Sequence, residues 1–187
     1  KLEELYNTIR VFGMHEPVPL RSIYVKLNIL TKIKARTRNS IEDLEKQFDK
    51  DRRGFGTILD TKTGLDIVNE FEKILVLGKP GSGKTTFLKY VALSSLDGNV
   101  NVKRCPIFIG LKLFASSKKT LLDFIVNQFD ICNLPEAKPY ILHLLEKGKC
   151  QLLFDGLDEI PEGMEEDIIC QIRDFSDKYS KNQFIIS

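Results

Sequence analysis

The residues Gly78-Lys79-Pro80-Gly81-Ser82-Gly83-Lys84-Thr85-Thr86 have the types and the spacing to hold a phosphate. Their pattern is G-x-x-x-x-G-K-T, the P-loop. Glycine lets the backbone curl so that successive N–H groups point inward, with no Cβ to keep an anion away. A helix that starts after the loop adds unpaired N–H donors and the positive end of its dipole. Lys84 supplies a mobile cation for β- and γ-phosphates, and the Thr85 hydroxyl is suited to ligate Mg²⁺. The whole stretch 78–86 is therefore expected to bind phosphate. A Gly-rich turn that merely ends in Lys-Thr is the bland alternative. The apolar run Ile74-Leu75-Val76-Leu77 before the loop and the helical pattern Phe87, Leu88, Val91, Ala92 after it favour the functional one.

A second chemical element is Leu152-Leu153-Phe154-Asp155-Gly156-Leu157-Asp158-Glu159, an apolar strand emptying into three carboxylates. Ligands of parallel sheets sit beyond the carboxyl ends of the strands, which places Asp155 on the same edge as the P-loop. A carboxylate there can hold Mg²⁺. Asp158 or Glu159, further out, can orient or deprotonate an attacking water. Gly156 keeps the space beside Asp155 clear. An acidic loop capping the following helix would show the same residues, but the upstream P-loop favours the nucleotide reading.

These two elements need a scaffold, and the order of apolar patterns supplies one. From residue 74 onward the chain reads strand, P-loop helix, a strand at 106–109, helices, a strand at 150–154, a helix and a strand at 183–186. One helix is capped by Thr120, with Leu121, Phe124, Ile125 and Phe129 on its core face. The next runs from about residue 135, turns Tyr140, Ile141, Leu144 and Leu145 inward and ends at Gly148. A third starts near Pro161 and carries Met164, Ile168, Ile169, Ile172 and Phe175. This alternation predicts an α/β fold with a parallel sheet and helices on both faces. Residues 1–64 read as a small α+β lead-in: a short helix over 1–10, a strand over 23–29, a basic loop over 31–39, a helix after Ser40 and a polar linker over 49–64. Residues 65–187 read as the nucleotide-binding domain.

Composition narrows the function classes. With 28 basic and 26 acidic residues the net charge is +2, so nothing in the balance calls for nucleic acid. The basic residues at 32–38 have no interleaved aromatics to stack on bases and read as a solvated loop. No apolar run reaches membrane-spanning length. Cys105, Cys132, Cys150 and Cys170 have no metal-ligand spacing and read as free thiols of a reducing, cytoplasmic compartment. His15 and His143 stand alone and suggest no metal site. The chain lacks an initiator Met and ends in an apolar run, so both ends look cut from something longer.

The stretch 78–88, with 152–159, resembles the NACHT domain of the STAND class of P-loop NTPases, in the style of bacterial, including cyanobacterial, signalling proteins. The small residue after Asp155 and the Asp158-Glu159 pair two positions further on carry the likeness, and Pro106-Ile107-Phe108-Ile109 looks like the family's second strand. The resemblance implies a three-layer αβα sandwich with strand order 2-3-4-1. It implies an ATP-dependent switch, with GTP still open, that uses Mg²⁺ and self-associates through the full-length protein. It also assigns Gly78, Gly81, Gly83, Lys84, Thr85 and Thr86 to phosphate and Mg²⁺, Asp155 to Mg²⁺, and Asp158 and Glu159 to water activation. The family's arginine sensor follows the last strand, beyond Ser187. A turnover ATPase or kinase and a module that holds nucleotide without hydrolysis are the alternatives.

Overall fold

A computed structural model of the chain describes residues 8–9, 18–20, 28–30, 61–101, 103–131 and 136–187. Contacts divide the chain into two units, Lys1–Val25 with Val68–Ser187, and Lys26–Ile67. In chain order the elements are β1 (Thr8–Ile9), β2 (Val18–Pro19), β3 (Asn28–Leu30), β4 (Thr61–Thr63), α1 (Gly64–Glu70), β5 (Lys73–Leu75), α2 (Lys84–Leu96) and β6 (Cys105–Gly110). They continue as α3 (Leu111–Ser117), α4 (Leu121–Ile131), α5 (Lys138–Glu146), β7 (Cys150–Asp155), a 3₁₀ turn (Leu157–Glu159), α6 (Glu165–Lys178) and β8 (Gln183–Ile186).

The lead-in departs from the sequence expectation at two places. Thr8 and Ile9, expected in a helix over 1–10, form a strand antiparallel to Val18–Pro19. Thr61–Thr63, expected in a linker, pairs antiparallel with Asn28–Leu30. β-Branched residues fit a strand as well as a helix turn, and the pairing decides between them. The strand expected over 23–29 is described only at its end, in β3. The basic loop over 31–39 and the helix after Ser40 lie outside the described residues.

Apolar runs at 105–110, 150–155 and 183–186 build one parallel sheet with β5, in the order β5-β8-β7-β6. Numbered from the P-loop strand and read from the other edge, this is the expected 2-3-4-1. β7 is central and buried along nearly its whole length, whereas β5 forms an edge with Lys73 and Leu75 exposed. Alternation sorts the side chains by face. Ile107, Ile109, Leu152, Phe154 and Phe184 share one core with the buried faces of α3, α4, α5 and α6. The P-loop helix α2 lies against β6 and β7 on the opposite face. Phe154 and Phe184 stack with ring centroids 6.4 Å apart.

Two helix faces are narrower than the sequence pattern suggests. Tyr140 is 56% exposed and Ile169 is 40% exposed, although both were expected in the core. Ile141 and Leu145 on α5, and Ile168, Ile172 and Phe175 on α6, already fill the i, i+4, i+7 stripe that meets the sheet. The preceding or following residue then points about 100° away. The Thr120 cap is as expected: its hydroxyl accepts from Asp123 N (3.2 Å) and donates to Asp123 Oδ2 (2.7 Å).

Buried polar side chains fasten the layers. Ser95 Oγ donates to Gln151 Oε1 (2.7 Å), Gln151 Nε2 to Gln183 Oε1 (2.7 Å), and Gln183 Nε2 to the Phe71 carbonyl (2.7 Å). This chain of amides runs from the end of α2 through β7 and β8 to the segment before β5. Among the described residues no helix is long and apolar enough to cross a membrane.

Cys105 and Cys150 face each other in register on β6 and β7, both as free thiols, with Cys150 fully buried. Burial, with a smaller contribution from Cys105, pushes the Cys150 thiol up to about 12 from an ordinary value of 9.0. Above the ordinary value the unfolded chain gives up a proton that the native chain keeps, so stability should fall with rising pH. The slope is up to about 1.4 kcal/mol per pH unit. Urea midpoints between pH 8 and 10 should show this decline in the native sequence and a shallower one in Cys150→Ala. Equal slopes would contradict the assignment.

Candidate functional site

The site lies where β5, β7 and β8 end on one edge of the sheet. Beyond β5 the backbone bends, and the Ser82 N–H donates to the Lys79 carbonyl (3.0 Å). Gly81 and Gly83 have φ of +77° and +90°, the left-handed region that glycine enters without penalty. At Gly78 space is tight instead: a Cβ would stand 2.5 Å from Ser82 Oγ, which would have to rotate away, and 3.3 Å from Ser82 Cβ. α2 then begins at Lys84, with no side chain capping its N-terminus. Its first-turn N–H groups therefore have no side-chain acceptor, as an anion site requires.

β7 delivers the second half. Its apolar residues anchor the strand, and Asp155 emerges half-buried at the carboxyl end. The Thr85 hydroxyl donates to Asp155 Oδ1 (2.9 Å), joining the P-loop helix to β7 across 70 residues of sequence. Gly156 follows with φ +83° and turns the chain into the 3₁₀ segment that carries Asp158 and Glu159. The Glu159 N–H donates to the Gly156 carbonyl (3.1 Å). Lys84 Nζ donates to the Gly78 carbonyl (2.9 Å) and lies 3.4 Å from Asp158 Oδ2.

These parts enclose a cleft of about 300 Å³ lined by Pro80 to Thr86, Asp155, Gly156, Asp158, Glu159 and Ser187. Of the residues expected from sequence, Gly78 and Lys79 are outside this lining; they shape the loop through their carbonyls. The others come together, although Asp155 and Thr85 are far apart in sequence. The oxygens grouped at Asp155 are hydroxyl and carboxylate, a hard donor set that fits Mg²⁺.

The model of the NACHT domain family matches residues 72–184. The chain belongs to the NACHT family. That makes it a nucleoside-triphosphatase module of the P-loop class, and the matched span runs from the residue before β5 into β8. No curated protein matches the chain significantly.

One lining residue of this NACHT module escaped the sequence reading. Ser187 follows β8, and the pairing of Phe154 with Ile186 brings it beside Asp155. Its hydroxyl donates to Asp155 Oδ1 (2.9 Å). The available signal was a small hydroxyl residue at the end of the strand expected next to the Asp155 strand.

Proposed function

We propose that this NACHT module binds ATP, with GTP as the alternative, together with Mg²⁺, and hydrolyses it slowly as a conformational and oligomerisation switch in a cytoplasmic signalling protein. The observation that carries the reading is the Thr85–Asp155 hydrogen bond, which unites the P-loop and the carboxylate strand at one cleft. In this reading residues 78–86 cradle the phosphates, Lys84 meets the β- and γ-phosphates, and Thr85 with Asp155 would hold the metal. Mg²⁺, when bound, neutralises charge on the β- and γ-phosphate oxygens.

Glu159 is the better of the two carboxylates for orienting or deprotonating a water. Asp158 Oδ2 already faces Lys84 Nζ at 3.4 Å, which leaves this carboxylate less free to turn toward a water. Glu159→Gln should keep nucleotide affinity within about threefold and slow phosphate release by roughly 10²-fold or more. Asp158→Asn should slow it less. The test is nucleotide titration beside a phosphate-release assay on each variant. Unchanged hydrolysis in Glu159→Gln would remove that residue from the mechanism; no hydrolysis in the native sequence would favour the nucleotide-holding reading.

A switch also has an energetic requirement. Moving a population from 1:99 to 99:1 takes about 5.5 kcal/mol of differential affinity. Nucleotide contacts meet it when a neighbouring domain also reads the γ-phosphate, and self-association through the full-length protein is the proposed output.

A further inference from the structure

We infer that Ser187 is a positioning residue for the metal-binding pair Thr85 and Asp155, an inference that rests on the Mg²⁺ reading above. Ser187 is 5% exposed, and its backbone is held on both sides, by β7 and by the 3₁₀ turn that follows it. Its N–H donates to the Phe154 carbonyl (2.9 Å), and its carbonyl accepts from Leu157 N (2.8 Å). With the backbone fixed in this way, the hydroxyl has little freedom. It donates its single proton to Asp155 Oδ1 (2.9 Å) and accepts from the Gly156 N–H at 3.4 Å.

The consequence falls on the carboxylate. Asp155 Oδ1 receives two hydroxyl protons, one from Thr85 and one from Ser187, from two different elements. Two donors converging on one oxygen fix the rotation of the carboxyl group. The Thr85 proton is also committed, so its oxygen offers lone pairs to a cation. Partners behind a metal ligand commonly contribute 10–100-fold to metal affinity by holding such orientations. Ser187 additionally braces the Gly156 turn, from which Asp158 and Glu159 project.

The test compares Ser187→Thr with Ser187→Val, which have nearly the same shape but differ in the hydroxyl, alongside Ser187→Ala. The readout is affinity for a fluorescent ATP analogue, measured in EDTA and then against increasing Mg²⁺, with thermal melting of each variant. Ser187→Val and Ser187→Ala should raise the half-saturating Mg²⁺ by about tenfold. Binding in EDTA should stay within about twofold, and Ser187→Thr should match the native sequence. If Val and Thr behave alike, or if binding with and without Mg²⁺ weakens in parallel, Ser187 is a structural residue and the inference is overturned. The Mg²⁺ reading fails separately, and takes the inference with it, if native binding does not respond to Mg²⁺ at all.

Discussion

Lys84→Ala should weaken nucleotide binding by at least about 100-fold while leaving the fold intact. Hydrogen bonds to charged groups contribute roughly 1.5–3 kcal/mol each. A lysine serving both the β- and γ-phosphates therefore stands for about 3 kcal/mol, and each 1.4 kcal/mol is a factor of ten. The contacts Lys84 makes within the protein are weaker. Its partner Asp158 is 56% exposed and the N···O distance is 3.4 Å, a geometry typical of pairs that contribute little. The Gly78 carbonyl loses one donor but lies in an exposed loop where water replaces it. Melting should therefore move by no more than a few degrees. Calorimetric titration with ATP and with GTP, set beside thermal melting, checks both halves. Binding within threefold of native would remove Lys84 from the site. Lost binding with a collapsed melting transition would mean the lysine acts through the loop's own structure.

The sheet was legible because strong local patterns and topology agreed. The runs at 105–110, 150–155 and 183–186 are short, apolar and separated by helical patterns, and parallel pairing with helices on both faces is what such a chain can build. The order of the strands came from the family resemblance, since composition alone does not say that β8 inserts between β5 and β7. α3 went unassigned for a local reason. Gly110 passes straight from strand to helix with no polar cap, so a single glycine, which a strand bulge would also carry, is the one mark between Ile109 and Leu111.

The candidate site was legible in its two motifs and less so in its supports. Gly81, Gly83, Lys84, Thr85 and Asp155 stand out by type and spacing, and they line one cleft. Ser187 does not, because a serine after an apolar run gains meaning only once β8 is known to lie beside β7. The same holds for Gln151 and Gln183. In sequence they are polar interruptions of buried strands; in the fold they hydrogen-bond to each other across adjacent strands (2.7 Å). Side-chain partnerships between strands follow register, and register is not written in either strand alone.

Asn182→Ala should cost about 3 kcal/mol of stability, the largest loss expected from any polar substitution described. Asn182 is fully buried just before β8. Its Oδ1 accepts from the Cys150 N–H (2.9 Å), and its Nδ2 donates to the Leu145 (2.7 Å) and Tyr179 (2.8 Å) carbonyls. One side chain thus joins the end of α5, the region after α6 and the first residue of β7. Removing it affects the three groups unequally. The Leu145 carbonyl still accepts from Gly148 N (3.1 Å), and the Tyr179 carbonyl from the residue 182 N–H (3.1 Å). The buried Cys150 N–H loses its acceptor: left unpaired, it costs roughly 1–3 kcal/mol, and the space vacated by the amide adds to this. For a chain of this size the melting temperature should fall by about 6–12 °C. Asn182→Asp separates the donors from the acceptor. It keeps an oxygen for Cys150 N but places a carboxylate against two carbonyls, so at neutral pH it should be at least as damaging as alanine. Urea midpoints with unchanged m-values would give the free energies directly. A loss below 0.5 kcal/mol in both variants would mean that the three elements dock without the amide. Nucleotide affinity, measured well below the melting transition, should be nearly native in Asn182→Ala, because the hydrogen bonds it removes lie at the start of β7 and the cleft lies at its end.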